Sequence, residues 1–336
     1  MMLHEILGLL FNKQGLTRGQ MREALSPILA GEASPALIGA FLAALRVKGE
    51  TSEEIIGAVE LLREKATRIK LQSQNVVDTC GTGGDASGTF NISTASALVA
   101  AAAGAVVAKH GNQAISSACG SANVLAQLGL DLERTPDQVA ACIDATGLGF
   151  LFAPKYHSAL RHVGPIRQEL KQRTLFNLLG PLLNPAGARR QVMGVYAAQW
   201  LLPVAQTLLE LGSERVMVVH AQDGLDEISL CAPTLIAEVN QGQISEYTLN
   251  PQDWGFTFCS PADLKGGDAP YNAQLILEIL KGTPGPKRDV VVLNAAAALL
   301  VAGKANNFKD ALVLAGRALD EGQALKKLNE LVNFKG

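Results

Sequence analysis

The chain has 336 residues, 48% of them apolar and 18% charged, with a formal net charge of −2. That length buries a sizeable core as one large or two modest domains, in the composition of an ordinary soluble α/β protein. It carries no electrostatic footprint for nucleic acid, no uncharged run long enough for a membrane span and no basic leader with a cleavage site, so a cytoplasmic protein is expected, with no nucleic-acid or membrane partner. Cys80, Cys119, Cys142, Cys231 and Cys259 are odd in number and form no C-x-x-C, which reads as reduced thiols.

Residues 1–70 are helical by pattern. A helix over 3–11 is followed by capping boxes at Thr17-x-x-Gln20 and Thr51-x-x-Glu54, and by Ser34-Pro35, a cap before a proline at the first helical position. Each opens an apolar stripe: Met21, Leu25, Ile28; then Leu37, Phe41, Leu45; then Ile55, Ile56, Val59, Leu62. These four helices form a small α unit with more apolar surface than it buries alone, which predicts a homodimer through it. From residue 75 the pattern alternates: strand 75–78, helix 94–103, strand 105–109, helices 122–128 and 136–145, strand 149–152. Alternation of this kind predicts a parallel sheet with helical crossovers. Helical patterns around 165–171 and 174–179 interrupt it. Strands at 191–196 and 215–220 flank a helix over 199–211, and alternating segments at 235–239 and 243–249 around Gln241-Gly242 predict a hairpin. A basic Gly/Pro loop over 281–288, helices over 289–302 and 307–317 and a polar tail follow. The fold class is α/β: a small N-terminal helical domain and a larger domain with a mostly parallel sheet.

The densest chemistry lies between Asp78 and Asn123. It reads Asp78-Thr79-Cys80-Gly81-Thr82-Gly83-Gly84-Asp85, then Thr89-Phe90-Asn91-Ile92-Ser93-Thr94, then the run from Lys109-His110-Gly111-Asn112 to Gly120-Ser121-Ala122-Asn123. Close glycines let backbone N–H groups approach an anion without hindrance from Cβ. Asn91, Ser93 and Thr94 sit where a helix begins, beside its orphan N–H groups and positive dipole end. Lys109 and His110 end an apolar run, so they are expected to project from the strand's carboxyl edge. A glycine-rich turn is often just a tight connection, and this one matches neither G-x-G-x-x-G nor the P-loop. A second polar loop at the end of the next strand changes the balance, because such loops converge on one crevice in an open α/β sheet. The pattern predicts a cradle for a sugar phosphate or a pyrophosphate. Adjacent carboxylates such as Asp226-Glu227 are usually a solvated turn. At a strand's carboxyl edge, however, they suit magnesium, which takes few carboxylates plus waters and ligand phosphates.

These motifs resemble the anthranilate phosphoribosyltransferase family. The similarity continues through Phe152-Ala153-Pro154-Lys155-Tyr156-His157, Gly164-Pro165-Ile166-Arg167, the run from Arg173 to Pro185 and Gly224-Leu225-Asp226-Glu227, in family order over nearly the whole chain. The resemblance implies the nucleoside phosphorylase/phosphoribosyltransferase type of fold: a helical domain of residues 1–72 with an excursion at 164–187, packed on an α/β domain of residues 73–163 and 188–336. It implies transfer of the phosphoribosyl group of phosphoribosyl pyrophosphate (PRPP) to the amino group of anthranilate, the second step of tryptophan biosynthesis, with Mg2+ as cofactor. Gly81, Gly84, Asp85 and Thr89 would surround the ribose and pyrophosphate. Asn91, Ile92, Ser93 and Thr94 would hold phosphates, with Lys109, His110, Gly111, Asn112, Gln113, Ala114, Ile115, Ser116, Ser117 and Ser121, Lys109 acting as the point charge. Anthranilate would meet Gly81, Asn112 and Arg167, whose guanidinium suits a carboxylate; His110, His157 and Gly180 would line its path. Magnesium would be held by Ser93, Asp226 and Glu227. No general base is evident, so electrostatic stabilisation of the departing pyrophosphate carries the reaction.

The family usually has a basic residue at the position of Ala118 and an acidic one at Asn123, and both departures lie beside the phosphate loop. Ser121 is read as the cap of the next helix, with Asn123 in its first turn. Two other readings share the fold: a pyrimidine nucleoside phosphorylase, opposed by Arg167 and the carboxylate pair, and a non-catalytic nucleic-acid-binding relative, opposed by the acidic charge. A homodimer is the family's usual state, and a glutamine amidotransferase subunit is a further partner to test.

Overall fold

The computed structural model describes residues 2–73, 75–113 and 119–335. Four helices open the chain: α1 (Leu3–Phe11), α2 (Arg18–Ala30), α3 (Pro35–Lys48) and α4 (Ser52–Lys65). The Thr17 and Thr51 hydroxyls accept from the backbone of Gln20 and Glu54, whose side chains reach back to the cap N–H groups, and Ser34 caps α3. Glu54 does more than cap. Fully buried, its carboxylate also accepts the Leu16 N–H at 2.8 Å and the Lys48 ammonium at 2.9 Å, tying the start of α2 and the end of α3 to α4.

The larger part alternates strand and helix: β1 (Val76–Gly81), α5 (Ile92–Ala102), β2 (Val106–Gly111), α6 (Ser121–Gln127), α7 (Pro136–Thr146) and β3 (Leu148–Phe152). The short helices α8 (Ala153–Tyr156), α9 (Gly164–Leu170) and α10 (Leu175–Leu179) precede β4 (Arg190–Gly194), α11 (Leu201–Glu210) and β5 (Arg215–Ala221). The hairpin β6 (Thr234–Asn240) and β7 (Gln243–Leu249) turns at Gln241 and Gly242, both at positive φ (51° and 77°), as a two-residue turn of the strands' own twist requires. Helices α12 (Ala269–Leu280), α13 (Pro286–Val301), α14 (Phe308–Asp320) and α15 (Gln323–Asn333) complete the chain. The sheet order is β3-β2-β1-β4-β5-β6-β7, parallel from β3 to β5 and antiparallel in the last two strands.

Period-two alternation divides the sheet's side chains. Val192, Met217 and Val219 join α5, α13, α14 and α15 on one face; Met193, Val216 and Val218 join α11 on the other. That second cluster is continuous with α1–α4, and it also takes in α10, Leu182 and Leu183 from the segment between β3 and β4. Three sequence expectations change. The tail is helix α15, because Ala324, Leu328 and Leu331 bury a stripe that its charged face conceals in composition. Helix α12, capped by Asp268, was not foreseen, and α13 begins at Pro286, inside the expected loop, with proline at its first position.

The crossovers position the site. Neighbouring strands β1 and β4 send their helices, α5 and α11, to opposite faces. The crevice at such a switch point opens at the strands' carboxyl ends. Here those ends are Gly81 and Gly194, partners in register.

Candidate active site

Gly81 and Gly194 are glycine for want of space, because Asp226 lies against both. A Cβ on Gly194 would sit 1.5 Å from the Asp226 carbonyl oxygen, and one on Gly81 2.6 Å from its Oδ2. Asp226 Oδ2 accepts the Gly83 N–H at 2.8 Å, and the Asp226 N–H faces Asp85 Oδ2 at 3.5 Å. Glu227 takes a hydrogen bond from the backbone of Ser93, in the first turn of α5. Three carboxylates thus gather where the glycine-rich turn meets a helix N-terminus. Burial, reinforced by Asp85, pushes Asp226 up to about 7; burial, reinforced by Asp226, pushes Glu227 up to about 8. Carboxylates so placed favour a cation between them. Asp226, Glu227 and the Ser93 hydroxyl are the residue types that magnesium takes alongside waters and ligand oxygens, although among the described residues no three His, Cys, Asp or Glu side chains are grouped closely enough to hold a metal by themselves.

The end of β2 corrects one expectation. Pairing with β3 carries the strand on to Gly111, so Lys109 lies inside the protein and does not project from its edge. It is 3% exposed, with Nζ donating to the Thr79 carbonyl and to Ser93 Oγ at 3.2 Å. Its charge therefore lies beneath the first turn of α5, near Asp78 and Glu227. Burial holds Lys109 below its usual range and Asp78 above its own, with each opposing the other's shift. Asp78 accepts the His110 N–H at 3.1 Å and the Asn184 amide at 2.7 Å, which fixes the strand end. The Nε2 atoms of His110 and His157 lie 3.2 Å apart. Burial lowers both rings: His110 to about 3, with His157 adding and the Gly180 backbone opposing, and His157 to about 4. The pair is neutral near pH 7, and His110, His157 and Gly180 meet at one place.

Arg167 is half-buried in α9, its guanidinium 5.7 Å from the centroid of the Phe176 ring and without a carboxylate partner among the described residues. Burial lowers its pKa. A partly desolvated guanidinium of this kind suits a ligand carboxylate. Asn112 is exposed, and its carbonyl accepts the Ala122 N–H at 3.1 Å and the Ser121 hydroxyl at 3.3 Å. Gly111 leaves room for that hydroxyl, since a Cβ there would meet it at 2.2 Å. Gly120, not Ser121, caps α6. Asn123 accepts the Gly120 N–H at 3.1 Å, so it reaches back to the cap from the helix's first turn.

Elsewhere in the cradle, Gln113 is exposed, Thr89 bridges to Lys265, and the Asn91 amide is pinned between the Cys119 carbonyl and Asn272. Ile92 and Thr94 are buried, which leaves Ser93 as the accessible side chain of that turn. Ala114, Ile115, Ser116, Ser117 and Ala118 lie outside the described residues. Sequence reasoning gave no role to Asp78, Asn184, Asn272, Thr82, Arg173 or Tyr196. Arg173 and Asn184 lie in the run from Arg173 to Pro185 already recognised by resemblance, which was the available signal.

The fold and site define an α/β glycosyl-transfer enzyme with a helical bundle. Residues 73–325 match the a/b domain of the glycosyl transferase family, and residues 4–66 match its helical bundle domain. The anthranilate phosphoribosyltransferase of Thermoanaerobacter sp. (strain X514) is 48% identical over 334 residues, 99% of each chain. That of Thioalkalivibrio sulfidiphilus (strain HL-EbGR7) is 51% identical over 320 residues, 95% of this chain and 94% of its own. Among solved structures, anthranilate phosphoribosyltransferase from Thermus thermophilus matches with a TM-score of 0.92 at 42% identity, over 97% of this chain and 98% of its own. The Saccharomyces cerevisiae enzyme in complex with PRPP and Mg matches at 0.90 and 26% identity, over 98% and 97%. The chain belongs to the anthranilate phosphoribosyltransferase family.

Proposed function

We propose that this chain transfers the phosphoribosyl group of PRPP to the amino group of anthranilate, releasing pyrophosphate, as the second step of tryptophan biosynthesis. The observation that carries this reading is the Asp226-Glu227 pair at the switch point, Asp226 buried and Glu227 half-buried, facing the glycine-rich turn and the N-terminus of α5. In the reaction the bond from ribose C1 to pyrophosphate breaks, and a bond to the anthranilate nitrogen forms. Backbone N–H groups of the turn, the dipole of α5 and the buried Lys109 beneath it oppose the charge that develops on the leaving group. Magnesium, held by Asp226, Glu227 and Ser93, would add positive charge at the pyrophosphate. Arg167 orients the acceptor through its carboxylate, and the neutral histidine pair lines the approach without adding charge. Arg167 also favours anthranilate over a pyrimidine, which has no carboxylate.

Residues 1–72 with 164–187 form one unit in this reading, and 73–163 with 188–336 the other, with the substrates between them. We also propose residence in the cytoplasm and a homodimer through the helical unit, the latter supported by the exposed Met2, Phe11 and Val47. Sedimentation at micromolar protein tests that assembly, and a monomer there would contradict it. Co-purification tests for a glutamine amidotransferase subunit. The function is tested by loss of anthranilate fluorescence on adding PRPP and magnesium. Asp226→Asn combined with Glu227→Gln should abolish turnover while the circular dichroism stays that of the parent. Wild-type turnover with unaltered magnesium dependence would refute the metal assignment.

A further inference from the structure

We propose that Arg173 is a positioning residue for the PRPP site, reaching from the helical segment to the glycine-rich turn and fixing the direction of its backbone groups. The identity of the ligand rests on the function proposed above.

The turn after β1 has little orientation of its own. Gly83 and Gly84 sit at φ of 62° and 73°, and consecutive glycines leave the following peptide units free to rotate. A trans peptide is planar, so its carbonyl and N–H point in opposite directions, and holding one aims the other. Asp226 holds one side of the turn through the Gly83 N–H. Arg173 holds the other: its Nη2 donates to the Gly84 carbonyl. With that carbonyl turned toward Arg173, the Asp85 N–H is turned to the opposite face. Among the described residues, neither the Gly84 nor the Asp85 N–H has a protein acceptor, so both are available to an anion.

Arg173 is itself fixed. Its guanidinium lies over the Tyr196 ring, 4.4 Å from the centroid. The Tyr196 N–H donates to Thr82 Oγ1 at 3.0 Å, and the Thr82 N–H donates to the Gly194 carbonyl at 2.9 Å. The contacts close a loop through Gly84, Thr82, Tyr196 and Arg173. The neighbouring Thr174 and Leu175 are buried, Leu175 within the cluster shared with α1–α4. A shift of the helical unit is therefore transmitted through Arg173 to the turn. Lysine replaces it only in part, because an ammonium cannot lie flat on a ring while it donates to the carbonyl.

The test compares Arg173→Ala, Arg173→Lys and Tyr196→Ala with the parent. Arg173→Ala should raise the Michaelis constant for PRPP about tenfold, the scale of one partly exposed charge-assisted hydrogen bond, and leave that for anthranilate unchanged. Arg173→Lys should recover part of the loss. Tyr196→Ala should mimic Arg173→Ala, and the double variant should add little to either. Backbone hydrogen exchange across residues 82–88, measured without ligand, should speed up in Arg173→Ala while β1 stays protected. Unchanged exchange in the turn would overturn the proposal whatever the kinetics; faster exchange with an unchanged PRPP constant would overturn Arg173's role toward that ligand. A parent without transferase activity would remove the ligand assigned above, and the exchange comparison would then decide the positioning role alone.

Discussion

Replacing Gly194 with alanine asks why β4 ends in glycine. Gly194 is not among the glycines at positive φ, so backbone conformation does not demand it. Space does: the added Cβ would lie 1.5 Å from the Asp226 carbonyl oxygen, where real Cβ atoms essentially never come within 3.0 Å. The Asp226 peptide must therefore retreat by roughly 1.5 Å, and misplacing a reacting constellation by about 1 Å costs on the order of 10²-fold in rate. The retreat breaks the 2.8 Å bond from the Gly83 N–H and moves Asp226 away from Asp85. Gly81→Ala should be milder, because its Cβ meets Asp226 Oδ2, a side-chain atom that can rotate aside. The assay is anthranilate fluorescence loss across a magnesium titration, with circular dichroism as the control for folding. Gly194→Ala should lower kcat/KM by on the order of 10²-fold and raise the magnesium needed for half-maximal rate, with Gly81→Ala between it and the parent. Parental rates in Gly194→Ala, or equal losses in the two variants, would refute the steric account.

Arg167→Ala should weaken anthranilate binding by about 1.5–3 kcal/mol with PRPP binding unchanged, and Arg167→Lys should recover part; equal losses for both substrates would take Arg167 out of the acceptor site. The histidine pair sets an acid limit. Folded values of about 3 and 4 lie below the ordinary 6.5, so the folded chain binds fewer protons between them, and stability is lost as pH falls below 6.5. His157→Asn should reduce that slope in urea unfolding between pH 7 and pH 4 (about one proton's worth), and an unchanged slope would contradict it. Glu54→Ala leaves the buried Lys48 ammonium and Leu16 N–H, and the more exposed Thr51 N–H, without their carboxylate acceptor, which should cost about 3–5 kcal/mol in urea unfolding; a loss below about 1 kcal/mol, the scale of a surface pair, would mean that water replaces the carboxylate.

What the sequence determined by itself was local chemistry and periodicity. The boxes at Thr17 and Thr51 placed α2 and α4 because a cap involves residues three apart, and Gln241-Gly242 placed the hairpin because a two-residue turn demands positive φ. The glycine-rich turn, the first turn of α5 and Asp226-Glu227 were legible as a candidate anion and metal site from their residue types and their places at strand ends, and the fold brings them together. Tertiary structure decided the rest. Helix α15 reads as a polar tail until Ala324, Leu328 and Leu331 meet α5. Lys109 is buried because pairing with β3 extends β2, which nothing near Lys109 in the chain indicates. Gly81 and Gly194 resemble ordinary strand-ending glycines until the loop carrying Asp226 closes on them, and Arg173 is a surface charge until the fold brings Gly84 and Tyr196 to it. Capping, turn and helix rules act across a few residues of one segment. Burial and close approach depend on which distant segments the crossovers bring together, and that is set when the whole chain packs.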